Sequence, residues 1–331
     1  MNSVDISVIV IAHDRKEYLI DALKSANDQT LDRNKYEIIC VKNFVDDNYD
    51  REITCLVDKL ITSKSTAVGP KLKVAIEESR GEILSFLDYD DLFLPGKLQY
   101  VSESFLAVGR SVYLHNAHMT RRGNEDNLSS SISPAPESVV TLDANSAGNK
   151  EMKVLMSMYP DFNSSSISIS RKIIVPRLNQ MEKLIMHPDT FIFYAALESG
   201  GILVDDPRVL TVYRVHGSTT NYEKVSIRSF FSSGKEYYSK TMSDWDAISS
   251  ILSLERNGKM CECQKRHSEI LGGLFSLKSK RSELFRVCLG FGKCLTSRSG
   301  VNLVILEIIV LAAVFLPRSI RALYFLIRTR P

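Results

Sequence analysis

"EILSFLDYDDLFLP", residues 82–95, is the stretch that decides the fold. Its apolar run, Ile83 to Leu87, passes without a turn signal into Asp88-Tyr89-Asp90-Asp91. The run has the length and content of a strand buried on both faces, as in a parallel sheet. Three carboxylates within four positions repel one another, so without a counter-charge some must protonate or face solvent. A bound cation resolves the conflict. The plainer alternative is that Asp90 or Asp91 caps the helix that follows.

Working outward, DISVIVIA (5–12) and YEIICV (36–41) are further apolar runs of strand length. Between them, Tyr18, Leu19, Ala22, Leu23 and Ala26 recur at three- and four-residue steps, which predicts an amphipathic helix from about Lys16 to Asn27. Lys71 to Ser79 is helical in pattern, with Gly81 where a C-cap would stand. Pro95-Gly96 breaks the chain before another helix, Lys97 to Val108. This alternation predicts a doubly wound, mostly parallel α/β sheet with helices on both faces. Ligands bind such sheets at the carboxyl ends of the strands, where the acids stand. Farther on, residues 111–119 and 202–216 read as strands, and the Ser/Ile alternation of 163–170 as a half-buried one. Residues 191–201 read as a helix closed by glycines, 121–138 as an exposed loop, and 222–297 as mainly helical.

At 331 residues the chain has ample core, and its 44% hydrophobic and 24% charged content is that of a globular protein. A net charge of +3 is too small to indicate nucleic acid as a partner. The six cysteines include no C-x-x-C pair, and reduced thiols are expected. The N-terminus, without a basic n-region or small-residue cleavage site, reads as a first strand and not as a signal peptide.

The successive blocks SVIVIAHDRKEYLIDALKSANDQT, YEIICVKN, SRGEILSFLDYDDLFLPGKL and HPDTFIFYAALESGG…VLTVYRVHGST resemble family 2 of the nucleotide-sugar glycosyltransferases over roughly residues 5–220. The resemblance implies the GT-A fold and a hexosyl transfer from a nucleotide-sugar donor, with a divalent cation, Mn²⁺ or Mg²⁺, as cofactor. Such a cation stabilises charge on the departing diphosphate and takes oxygen ligands. By resemblance, Asp88 faces the ribose and the metal, Asp90 holds the metal, and Asp91 supports the loop or the donor sugar. His216 matches a position of a further metal ligand or phosphate contact, with Arg214 a phosphate or packing partner. Asp189 stands where the family places the base that takes the acceptor's proton. A helix N-cap is its plainer role.

Departures from the family pattern fall on donor recognition. The first block has Ala12-His13-Asp14-Arg15 where relatives have Thr-Tyr-Asn-Arg. Ala12, His13 and Arg15 are taken as donor-binding. Lys42, followed by Asn43, replaces the aspartate that reads the nucleobase, and an ammonium cannot accept a uracil N–H. Asp46 or Asp47 could substitute, with Asn43 as a donor contact. Lys71-Leu72-Lys73 replaces Ala-Arg-Asn, so Lys71 or Lys73 would supply a point charge toward phosphate. Pro188 replaces the usual glutamate before Asp189. UDP, GDP and dTDP all remain open.

The tail after residue 296 holds five arginines and one glutamate. Its apolar stretch from Leu303 runs 14 residues, interrupted only by Glu307. That is short of the roughly 20 residues a spanning helix needs. On one helix Glu307, Arg318, Arg321 and Arg328 would share a face, which suits a membrane interface. A tilted span, a helix packed on a partner and a buried core helix are the competitors.

The expected organisation is a nucleotide-sugar-binding half (1–108), an acceptor-binding half (109–220), a helical accessory region (221–297) and a membrane-associated tail (298–331). The expected function is metal-dependent, inverting glycosyl transfer to a glycan or lipid-linked hydroxyl at the cytoplasmic face of the cell membrane, in polysaccharide or glycoprotein synthesis. The alternatives are a non-catalytic nucleotide- or glycan-binding scaffold and a nucleotidyltransferase.

Overall fold

Seven consecutive buried residues, Ile6 to Ala12, form the strand from which the sheet is built. The structure is a computed structural model that describes residues 4–13, 16–108, 111–122, 129–132, 137–215 and 227–275. Two compact units divide the chain, Met1–His216 and Gly217–Pro331.

The first unit opens with β1 (Ile6–Ala12), α1 (Leu19–Asn27), β2 (Tyr36–Lys42), α2 (Asp47–Thr54), β3 (Lys59–Thr62), α3 (Val68–Glu77) and β4 (Ile83–Asp88). Next come β5 (Leu92–Phe93), α4 (Lys97–Val108), β6 (Ser111–Arg122), β7 (Ser129–Ile132), β8 (Val140–Asp143) and α5 (Asn149–Ser157). The unit closes with β9 (Ile167–Ser170), α6 (Arg171–Ile174), α7 (Leu178–Met181), α8 (Pro188–Glu198) and β10 (Ile202–Val215).

Among the described residues one sheet runs β3-β2-β1-β4-β9-β6-β10-β5, with β7 on β6 and β8 on β10. The four strands from β3 to β4 are mutually parallel. β9 runs antiparallel to both β4 and β6, so β6 and its parallel neighbour β10 point the same way as β4. The carboxyl ends of β1, β2, β4, β6 and β10 therefore share one edge with the start of β9. Asp88 ends β4 at that edge.

Several expectations shift. The acids end the fourth strand, because α2 and β3 intervene. Residues 163–166 do not continue β9 as a strand: Ser164–Ser166 is a 3-10 turn with all three serines buried. Gly81 does not cap α3. Its N–H donates to Ser7 Oγ at 2.8 Å, and a Cβ there would lie 2.5 Å from the Ser7 backbone nitrogen. α8 begins at Pro188, three residues before the expected start, which puts Asp189 in its first turn.

In the second unit, α9 (Ile227–Ser249) and α10 (Glu255–Phe275) pack through Phe230, Phe231, Tyr238 and Phe275. Cys40, Cys55 and Cys261 are free, whereas Cys263 is disulfide-bonded, against the expectation of reduced thiols throughout. No helix among the described residues is long and apolar enough to cross a membrane. The tail, residues 298–331, lies outside the described residues.

Candidate functional site

Asp88 is the last residue of β4, paired in register with Ile11 of β1. Its backbone N–H donates to Ser165 Oγ at 3.0 Å. Burial first, then the charges of Asp91, Asp90 and Asp189, hold its carboxyl well above the usual carboxylate range. Asp91 is raised to about 7 by burial and by Asp90, against opposing pull from the Arg214 N–H, the Ser165 hydroxyl and the Arg214 charge. Four carboxylates from two distant segments thus share one field. Tyr213, near the end of β10, registers all of them: burial and then Asp91, Asp90, Asp88 and Asp189 push its phenol up to about 12.

Asp189 sits at the start of α8, and Thr190 donates its N–H to Oδ1 at 2.8 Å. Burial lifts its carboxyl to about 6, partly offset by His187 and by the N–H groups of Thr190 and Asn163. Its neighbour Pro188 lines one small cavity with Asp88, Leu72 and Ser164.

The acids fit a hard cation. Asp91 Oδ2 is buried without a hydrogen-bond partner among the described residues. Like charges crowded in a buried site favour either protonation or a bound counter-ion. No group of three His, Cys, Asp or Glu set to hold a metal occurs among the described residues. Mg²⁺-type sites often use only one or two carboxylates and take the rest from substrate phosphates and water.

The residues expected on the donor side spread along the same edge. Ala12 is fully buried, in register with Lys42. His13 follows it, with Lys71 Nζ 2.8 Å from Nδ1. Lys42 is fully buried and donates to Asp50 Oδ2 at 2.9 Å and to the Phe44 carbonyl. A carboxylate therefore does stand at the end of β2, but it is Asp50. Asp46 accepts from the Tyr49 N–H and pairs with Lys16, and Asp47 is exposed in the first turn of α2. Asn43 is half-buried. Lys73 points elsewhere and pairs with Glu182 at 2.7 Å. Arg15 and His216 lie outside the described residues.

Sequence reading missed the residues that hold the acids. Ser165 Oγ accepts the Asp88 N–H, and its carbonyl accepts from the buried Lys97 ammonium. Lys97 also donates to Asn116 Oδ1 at 2.9 Å and Thr211 Oγ1 at 3.1 Å. The guanidinium of Arg214 is buried over the Tyr18 ring, 4.2 Å from its centroid. A buried cation near an acid cluster is a contact that only the tertiary structure reveals.

Residues 7–159 match the sequence profile described as glycosyl transferase family 2. An uncharacterized glycosyltransferase of Rickettsia conorii is 27% identical over 122 residues, 36% of this chain and 20% of that protein. The chain thus spans about a fifth of the length of that curated relative. Among solved structures, Staphylococcus aureus TarS superposes with a TM-score of 0.55 at 14% identity, over 85% of this chain and 47% of TarS. A TarS fragment crystallised with UDP-GlcNAc superposes at 0.52 and 13% identity, over 82% of this chain and 86% of the fragment. At such identities the likeness shows a shared GT-A-type fold.

Proposed function

We propose, from the match of residues 7–159 to the glycosyl transferase family 2 profile, that the chain moves a sugar from a nucleotide-diphosphate donor to a hydroxyl of a glycan or lipid-linked acceptor, inverting the anomeric carbon. The observation that carries this reading is the shared field of Asp88, Asp90, Asp91 and Asp189 at one sheet edge. Acids for a cation and an acid for a proton are the two chemical needs of such a transfer.

In this reading Asp90 and Asp88 would hold Mn²⁺ or Mg²⁺, which when bound draws off charge developing on the departing diphosphate. Asp91, bonded by the Arg214 N–H, fixes the shape of the loop that carries them. Asp189 takes the proton of the acceptor hydroxyl as its oxygen attacks the anomeric carbon. A carboxylate lifted to about 6 is ionised at neutral pH and is a stronger base than an ordinary aspartate. Lys71 beside His13, and Lys42 with Asp50, would meet the nucleotide. UDP is the first nucleotide to test, since a neighbour in fold was crystallised with UDP-GlcNAc; GDP and dTDP stay in the panel.

The basic, apolar sequence of residues 298–331 supports work at the inner face of the cell membrane. A chain ending at residue 298 is expected in the soluble fraction and the full chain with membranes; equal solubility would refute that part. The test of the activity is release of nucleoside diphosphate from a panel of nucleotide sugars with Mn²⁺, lost in Asp189→Asn. Binding without turnover on any donor, or release of pyrophosphate instead, would replace the transferase reading.

A further inference from the structure

Beside Asp189 lies a short segment, Tyr159-Pro160-Asp161-Phe162-Asn163, whose backbone is strained and whose aromatic side chains face water. Tyr159 (φ 53°) and Asn163 (φ 66°) are the non-glycine residues at positive φ among the described residues. Such conformations cost about 1–3 kcal/mol each and persist only where the surroundings over-determine them. Here they do. The buried Tyr113 hydroxyl donates to the Pro160 carbonyl, and buried His115 Nε2 donates to the Phe162 carbonyl at 3.1 Å. Asp205 Oδ1 steadies His115 from behind, 2.8 Å from Nδ1. Asn163 accepts the Ser165 N–H at 3.0 Å on its side-chain oxygen, and the next residue, Ser164, lines one small cavity with Asp88 and with Pro188, which precedes Asp189.

Tyr159 is 46% and Phe162 43% exposed. The Phe162 ring packs at 5.5 Å against both buried His118 and half-buried Tyr213, which also lie 5.5 Å apart, so it stands on an aromatic base. Tyr213 is the residue whose phenol feels the four carboxylates, which ties this base to the reacting centre. Asp161 adds a further carboxylate near Asp189.

We propose that Tyr159 and Phe162 form a preset platform for the acceptor, which takes an uncharged pyranose ring by its C–H face and presents a hydroxyl to Asp189, with Asp161 accepting from another ring hydroxyl. The chemistry commits to that class. Aromatic faces are large apolar surfaces that match the C–H side of a sugar ring. Carboxylates accept from hydroxyls and repel phosphates, so a phosphorylated linear polyol is disfavoured twice. A platform already rigid loses little on binding. The proposal rests on the transferase reading for the role of Asp189, but its binding test does not.

The test is saturation-transfer NMR on the full chain with methyl glucoside, methyl galactoside, methyl N-acetylglucosaminide and ribitol phosphate, with UDP and Mg²⁺ present. At least one pyranoside is expected to show saturated ring C–H protons, and ribitol phosphate none. Phe162→Ala should weaken that signal about tenfold and Phe162→Tyr should keep it. Tyr159→Gly removes the second ring while glycine adopts the same φ freely, and an unchanged melting temperature in that variant separates loss of signal from a folding defect. Thermal protection by UDP should be unchanged in all three variants. Undiminished pyranoside binding in both Phe162→Ala and Tyr159→Gly, no pyranoside signal in the native chain, or a signal from ribitol phosphate alone would each overturn the platform. Absence of UDP protection in the native chain would instead remove the donor reading, and the sugar signals would still decide this one.

Discussion

The backbone N–H of Arg214 donates to Asp91 Oδ1 at 2.9 Å, tying the end of β10 to the acid cluster after β4. The two segments are far apart in sequence, and this bond locks the donor-side acids to the strand that carries Tyr213. The Arg214 side chain is buried as well, with Nε and Nη1 unpartnered among the described residues and only a long approach, 3.6 Å, to Asp21. Unsatisfied buried donors of this kind call for a ligand or a cost. Arg214→Met should leave the Asp91 bond, which is main-chain, and lower UDP affinity by about tenfold, as expected when a charge-assisted phosphate contact is lost. Isothermal titration would detect it, and unchanged affinity would return the arginine to a packing role.

Asp189→Asn tests the proposed base. Loss of a general base should reduce turnover by about 10²–10⁴-fold with donor affinity retained. In the native chain the rate should rise with pH through about 6, the raised value of the Asp189 carboxyl. A flat profile across that range would assign the limb elsewhere.

The same substitution should stabilise the protein. The folded Asp189 carboxyl, at about 6, binds its proton more tightly than an ordinary aspartate at 3.8. Its contribution to stability is thus fully present below the lower value and lost as pH rises through the higher one. Asparagine imitates the protonated form at every pH. Melting curves should show Asp189→Asn more stable than the native chain above pH about 6 and nearly equal to it below pH about 4.

Asp90→Ala should abolish the part of UDP thermal protection that depends on Mn²⁺ or Mg²⁺ and spare the metal-independent part. Metal-dependent protection that survives would remove Asp90 from the ligand set.

Gly81→Ala is expected to destabilise by about 1–3 kcal/mol, the usual cost of overpacking. The new methyl would lie 2.5 Å from the Ser7 backbone nitrogen and 2.6 Å from the Ile6 carbonyl carbon, neither of which can swing aside. Denaturant unfolding would measure it.

The parts of this fold that read directly from sequence are the ones whose cause is local. β1, β2 and β4 are apolar runs because the parallel half of the sheet is covered on both faces. α2 and β3 escaped notice for the converse reason. Ile53 is the buried residue of α2, and the Lys59–Thr62 strand lies at the sheet edge with none of its residues fully covered. The acids of residues 88–91 and Asp189 stood out because uncompensated charge beside apolar runs is conspicuous. Ser165, Asn163 and Tyr213 did not. Their roles depend on a 3-10 turn, a positive φ and a strand end that come together only in three dimensions.

The Lys42–Asp50 pair sets a rule for any substitution at the end of β2. Lys42→Asp alone, which would restore the family's residue, sets two carboxylates face to face beside the Phe44 ring and strands both. The compatible change is an exchange at both positions, Lys42→Asp with Asp50→Lys, which keeps one charge of each sign while moving the acceptor from α2 to the end of β2. Changing either residue alone leaves an uncompensated charge at a buried position, so the two can be replaced without that cost only together.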